Sequence, residues 1–218
     1  MTAVSDEPSQ IDIEEASIRH SDKHLDNLFK RNRAWVNASK KRDPNYFKRL
    51  SGQQKPRYFW IGCCDSRVPA TEIVDLAPGE MFVHRNIANL AVPTDPSFSA
   101  ALQFAVEVLC VDHIMIVGHY GCGGIQSLLE DKTSDPIGDW LEPARHMHQS
   151  LDRGDRDDEE HLGFLCEQNV LRQVENLLAN PCIRNAWQRG QELSLHGWVY
   201  AIEDGLLKSL VGPLSHNE

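Results

Sequence analysis

Two short stretches carry the side chains that can do chemistry. Cys63-Cys64-Asp65-Ser66-Arg67 places two thiols, a carboxylate and a guanidinium side by side, and His119-Tyr120-Gly121-Cys122 ends a second apolar run with an imidazole and a thiol. Thiolate sulfur and imidazole nitrogen are both zinc ligands. His119 and Cys122 are separated by two residues on a glycine turn, so both can reach one ion, and Cys63 can join them from a neighbouring strand end. Two thiolates and one imidazole leave a fourth tetrahedral position for water, which is the pattern of a catalytic zinc site, whereas a structural site is more often closed by four Cys or His ligands. The alternative is a glycine-rich turn with incidental thiols, since His-x-x-Cys alone is common.

Asp65 and Arg67 stand two residues apart just after Cys63. At an ordinary surface such an ion pair fixes a loop and is worth little. Beside a metal, Arg67 can hold the carboxylate through paired hydrogen bonds, and Asp65 can accept a proton from metal-bound water or, if released, bind the metal itself. Cys64 competes with Cys63 as a ligand. Adjacent side chains on an extended segment point in opposite directions, so only one of them faces the metal. Cys63 shares the side of Asp65, which leaves Cys64 packed or weakly redox-active.

Both stretches follow runs that read as buried strands, Tyr58 to Gly62 and His113 to Gly118. Ligands of open α/β sheets bind outside the carboxyl ends of the strands, so the two runs deliver their groups to one edge of one sheet. The rest of the chain supplies the frame. Residues 1 to 20 form a polar, acidic arm, and Ser21 is placed to cap a helix carrying Leu25, Leu28, Phe29, Trp35 and Val36. Asp43-Pro44 starts a short second helix with Tyr46, Phe47 and Leu50, ended by Gly52. Pro69 to Leu76 reads as helix and Met81 to His84 as strand.

Asp95-Pro96 has the form of an N-cap followed by proline at the first helical position. It opens a helix to about Cys110, with Ala101, Phe104, Ala105, Val108 and Leu109 expected on its buried face. Ile125 to Glu130 is helical. The charged stretch from Asp131 to Glu160 reads as surface structure, and its acidic run 155–160 as a solvated face. His161 to Asn180 is an amphipathic helix, Leu193 to Ile202 a last strand and Gly205 to Leu210 a closing helix. Alternation of this kind predicts an α/β fold: a single domain, residues 21–218, with a mainly parallel central sheet flanked by helices and preceded by an N-terminal helical arm.

With 218 residues, 41% of them hydrophobic and 25% charged, the composition is that of a globular domain with a full core. The net charge of -10 argues against a broad nucleic-acid or anionic-membrane surface. No run approaches the ~18 apolar residues of a membrane span. The acidic first residues resemble neither a secretion signal nor a transit peptide, so a cytoplasmic location is expected. The six cysteines then read as thiols rather than a disulfide framework. Cys110, Cys166 and Cys182 are expected to be inert core or near-core residues.

Cys63-Cys64-Asp65-Ser66-Arg67, followed by His119-Tyr120-Gly121-Cys122, resembles the β-class carbonic anhydrases. The resemblance runs from about residue 35 to 207 and takes in Phe82-Val83-His84-Arg85-Asn86, Gly118 to Gly124 and His196-Gly197-Trp198. It implies one zinc per chain on Cys63, His119 and Cys122, an Asp-Arg dyad at Asp65 and Arg67, and a substrate-orienting glutamine at Gln54. Cys64 departs from the family's usual serine and raises sensitivity to oxidation. The resemblance is closer to bacterial-type members with a second, regulatory bicarbonate pocket, whose tryptophan, arginine and tyrosine fall on Trp60, Arg85 and Tyr200.

The function so implied is interconversion of carbon dioxide and bicarbonate through zinc-bound hydroxide, regulated by pH and bicarbonate, in a homodimer or homotetramer. Zinc with two thiolates and a neutral imidazole carries no net charge, so activity is expected to be weak near neutrality and to rise above it. Two rivals remain at this point: hydrolysis of carbonyl sulfide or carbon disulfide on the same site, and a non-enzymatic zinc-binding or thiol-sensing module.

Overall fold

The computed structural model describes residues 23–52, 54–130 and 134–216. The acidic arm, the cap at Ser21 and Asp131 lie outside the described residues. Two compact units divide the chain, with the boundary after Gly52. The first holds α1 (Lys23–Arg42) and α2 (Tyr46–Ser51). The Trp35 ring meets Tyr46 and Phe47 edge-on, with centroids 6.3 and 5.3 Å apart, and this aromatic contact joins the two helices. Asp43 does not cap α2 with its side chain; it accepts the Asn45 N–H at 2.9 Å in the turn before it.

The second unit is built on five strands: β1 (Tyr58–Cys63), β2 (Met81–Asn86), β3 (His113–His119), β4 (Ser194–Ala201) and β5 (Leu206–Leu214), in the order β2-β1-β3-β4-β5. The first four run parallel and β5 returns antiparallel to β4. β1 and β3 are buried along almost their whole length, as central parallel strands covered on both faces must be. The expected closing helix at 205–210 is therefore a strand instead. Asp204-Gly205 makes a tight turn, with Gly205 at φ 76 and the Leu206 N–H bonded to the Asp204 carboxylate at 2.9 Å. That turn chemistry favours a hairpin over a helix start.

Helices complete the second unit in chain order. They are α3 (Ala70–Ile73), α4 (Pro96–Gln103), α5 (Gly123–Glu130), α6 (Ile137–Gln149), α7 (Asp158–Ala179) and α8 (Pro181–Gln188). α3 is shorter than the expected 69–76 helix, which breaks before Asp75 at φ 50. α4 begins as expected, with Asp95 accepting the Ser97 N–H, but its continuation Phe104–Val108 is a π-turn. The extra residue rotates the face. Ala105 and Val106 are buried while Phe104 and Val108 are exposed, and Cys110, expected near the core, lies exposed beyond the turn at φ 53.

The charged stretch before α7 is more structured than its composition suggests. α6 buries Leu141 and Ala144, and the acidic run supplies a capping box in which Asp157 and Glu160 bond each other's backbone N–H. α7 lays its buried stripe across the sheet. At Gly118 of β3 an added Cβ would come within 2.6 Å of Val170 Cγ2, so glycine there is what allows helix and sheet to meet. No helix among the described residues is long and apolar enough to cross a membrane.

Candidate metal centre

Cys63 is the last residue of β1 and His119 the last of β3, and these strands are neighbours. Cys122 follows through a turn with Gly121 at φ 64 and immediately precedes α5. The Cys63 and Cys122 sulfurs lie 3.9 Å apart, and together with a His119 nitrogen all three donor atoms fall within 4.8 Å of one another. Two zinc–sulfur bonds of ~2.3 Å at a tetrahedral angle put the sulfurs about 3.8 Å apart. The residues fit the ion.

The protonation pattern fits as well. His119 Nδ1 lies 3.0 Å from the Tyr120 carbonyl, which can only accept, so Nδ1 carries the hydrogen and Nε2 keeps its lone pair. Nε2 is buried and has no hydrogen-bond partner. Such an orphan costs roughly 1–3 kcal/mol unless something pairs with it. Of the two thiols, Cys63 is driven towards thiolate, chiefly by the hydrogen bond from Cys122, against its burial. Cys122 holds its proton in the same coupling, because a second anion would sit buried beside the first. A divalent cation between them removes that penalty. The Ile125 N–H points at the Cys122 sulfur, so Cys122 caps α5 and the positive end of that helix favours its ionised form.

Asp65 borders this group, with Oδ2 3.9 Å from His119 Nε2. Arg67 grips the carboxylate by three bonds: its backbone N–H at 2.9 Å and Nε at 3.0 Å to Oδ1, and Nη2 at 2.7 Å to Oδ2. This grip, above all the side-chain hydrogen bonds from Arg67, holds the Asp65 carboxyl well below the usual carboxylate range. Cys64 is exposed and ties the loop through its N–H to the Asn86 carbonyl at 2.9 Å; it is outside the donor group. Gln54 lies exposed ahead of β1 and makes no hydrogen bond to the donor group among the described residues. Cys166, expected to be inert core, is buried behind the site, and burial pushes its thiol up to about 11.

Trp60 and Tyr200 belong to one apolar cluster on the opposite side of the sheet from α7. The Trp60 indole folds over Gly62, where a Cβ would meet Nε1 at 2.2 Å, and that Nε1–H is buried without a partner. Gly62 pairs in register with Arg85. Arg85 in turn donates through Nε to the Cys63 carbonyl at 2.8 Å and through Nη2 to the Asp65 carbonyl at 2.6 Å.

One contributor was missed in the sequence. Ala88 and Asn89 sit in the left-handed region, at φ 65 and 48, and Ala88 is buried in one cluster with Cys63 and Cys122. Such a conformation costs a non-glycine residue roughly 1–2 kcal/mol, and nothing in Ile87-Ala88-Asn89 announces it.

A model of the family described as carbonic anhydrase matches residues 58–207. A carbonic anhydrase of Emericella nidulans is 38% identical over 198 residues, 89% of this chain and 87% of that protein. The β-carbonic anhydrase of Coccomyxa, solved in complex with acetazolamide, superposes with a TM-score of 0.85 at 35% identity, covering 90% of this chain and 89% of that one. One of two tetrameric β-carbonic anhydrases solved from Sordaria macrospora superposes with a TM-score of 0.83 at 35% identity, covering 89% of this chain and 100% of that one.

Proposed function

Because the chain belongs to the β-class carbonic anhydrases, an enzyme family that interconverts carbon dioxide and bicarbonate, we propose that it does so with one zinc ion per chain on Cys63, His119 and Cys122, under control by pH and bicarbonate. The observation that carries the reading is the buried, partnerless Nε2 of His119 facing two sulfurs 3.9 Å apart. Zinc, when bound there, supplies a Lewis acid that brings the pKa of its water down from about 15.7 towards ~7.

The chain's own residues do the rest. Tyr120 fixes the His119 tautomer through its carbonyl. Arg67 keeps Asp65 ionised beside His119 Nε2, where the carboxylate would accept a hydrogen bond from water held by a metal on Cys63, His119 and Cys122. A carboxyl held so low orients and passes on a proton rather than storing it. Gln54 orients the substrate.

Regulation is assigned to Trp60, Arg85 and Tyr200. The partnerless Trp60 Nε1–H offers a donor for an anion, and Arg85 is already bonded to the two carbonyls that carry the metal loop. An anion that draws Arg85 away loosens Asp65 from its place. Hydration should therefore be weak near neutrality, rise above it and be inhibited by bicarbonate, with Tyr200→Phe relieving the inhibition. The check is the hydration rate at several bicarbonate concentrations between roughly pH 6.5 and 9, spanning the range where zinc-bound water titrates. Inhibition unchanged in Tyr200→Phe would remove the pocket. Arg85→Ala is the poorer test, because it also cuts the bonds to Cys63 and Asp65.

The enzyme is assigned a homodimer or a tetramer of dimers. α1 leaves Leu25, Leu28 and Phe29 more than half exposed along one helix, apolar surface of the kind that partner subunits cover. Light scattering at micromolar concentration should give the mass of two or four chains; the mass of one would refute it.

A further inference from the structure

The His119 ring is held by one carbonyl, and that carbonyl is itself held from the far end of Tyr120. His119 Nδ1 donates to the Tyr120 oxygen at 3.0 Å. The Tyr120 N–H is fixed to the sheet, 3.1 Å from the Tyr200 carbonyl on β4. The carbonyl, however, belongs to the next peptide unit. That unit leads into Gly121 at φ 64, and glycine gives the backbone its greatest freedom. The bond to the sheet therefore leaves the carbonyl able to swing off the imidazole.

The Tyr120 side chain supplies a second fixed point. Its phenol donates to Glu167 Oε1 on α7 at 2.5 Å, and Lys208 Nζ on β5 donates to the same oxygen at 2.8 Å. A hydrogen bond to an ionised acceptor is about twice as strong as one between neutral groups. Packing alone does not hold the ring. A Cβ added at Gly163 would reach it only at 3.8 Å, and the ring borders a cavity lined also by Arg156, Glu160 and Phe164, with room to turn. We infer that Glu167, paired with Lys208, is a positioning residue for the metal centre: it anchors the Tyr120 phenol, and through it the carbonyl that keeps the hydrogen on His119 Nδ1 and the lone pair of Nε2 turned to the metal. The inference rests on the reading of His119 as a zinc ligand. Groups that fix the second nitrogen of a ligating imidazole set its tautomer and its orientation, and with them the metal affinity.

The test uses the full chain loaded with zinc and isotope-labelled at histidine, so that the His119 imidazole N–H is observed as a zinc-dependent proton signal. Held on the carbonyl, that hydrogen should exchange slowly with solvent. Tyr120→Phe removes one oxygen and keeps the ring and the backbone. Its N–H should exchange several-fold faster, and a competing chelator should take its zinc roughly tenfold more readily, the lower end for contacts that support a metal ligand. Glu167→Ala should match it. Glu167→Gln, which keeps an acceptor for the phenol, should recover most of both losses. A merely structural role would lower the melting temperature of Glu167→Ala and leave N–H exchange and zinc retention unchanged in all three variants. That result overturns the inference and leaves the ligand assignment standing. Failure of the unmodified chain to take up zinc overturns both.

Discussion

Cys122→Ser should leave a folded chain that retains no zinc and whose hydration of carbon dioxide falls by more than about a hundredfold, the upper limit for losing a mere supporting contact of a metal ligand. The fold survives because serine is nearly the size of cysteine and is among the best N-caps, so the Ile125 N–H at the start of α5 keeps an acceptor. The metal does not survive. A serine hydroxyl stays protonated where a thiol ionises, and the remaining pair, Cys63 and His119, is two ligands short of a tetrahedral shell. Metal analysis of the purified variant decides the point, and full zinc occupancy with normal turnover would sink the ligand set.

The second large effect belongs to Asp65 and Arg67. Arg67→Leu should cut the hydration rate by on the order of a hundredfold near pH 7, within the span of a misplaced proton-handling group. Arg67 is more than half exposed, so little stability goes with it. The loss comes from the carboxylate. Freed from the guanidinium, Asp65 stands 3.9 Å from the ligating nitrogen and competes for the fourth position. Water competes better as pH rises, so the Arg67→Leu deficit should shrink in alkaline solution.

Asp65→Asn removes acceptor and competitor together, and its deficit should be large at every pH. The double variant should be no worse than the worse single one, because the two residues act as a unit. Rate profiles of all three across pH make the comparison, and losses that simply multiply would show that the pair is not one device. Stability follows a separate rule. The Asp65 carboxyl is depressed in the folded state, so its contribution is in place above the ordinary carboxylate value of ~3.9 and fades as pH falls below it towards the folded value.

The donor set was legible in the sequence because Cys63 and His119 each end a strand, Cys122 follows His119 by one glycine turn, and strand ends in a parallel sheet converge by topology alone. Cys63, His119 and Cys122 need no knowledge of the core to be found. Errors arose where a local signal was outweighed. Asp204-Gly205 is a hairpin turn, yet the apolar residues after it were few enough to pass for helix. At Phe104–Val108 the helical period was extended through a π-turn that no residue type marks, which put Phe104 and Val108 on the wrong face.

The amide line on α7 was illegible for a different reason. Asn169, Gln173 and Asn176 are ordinary helix-surface residues by type. What orders them is a set of backbone partners 81 to 85 residues away in sequence, Ala88 for Asn169 and Ala91 for Gln173 and Asn176, and neither segment carries a signature of the other.

The most direct measurement is the hydration rate of the metal-free chain as zinc is returned in steps. Activity should start at background, rise in proportion to added zinc and stop at one zinc per chain. Turnover by the metal-free chain, or a rate indifferent to zinc, would contradict catalysis at Cys63, His119 and Cys122.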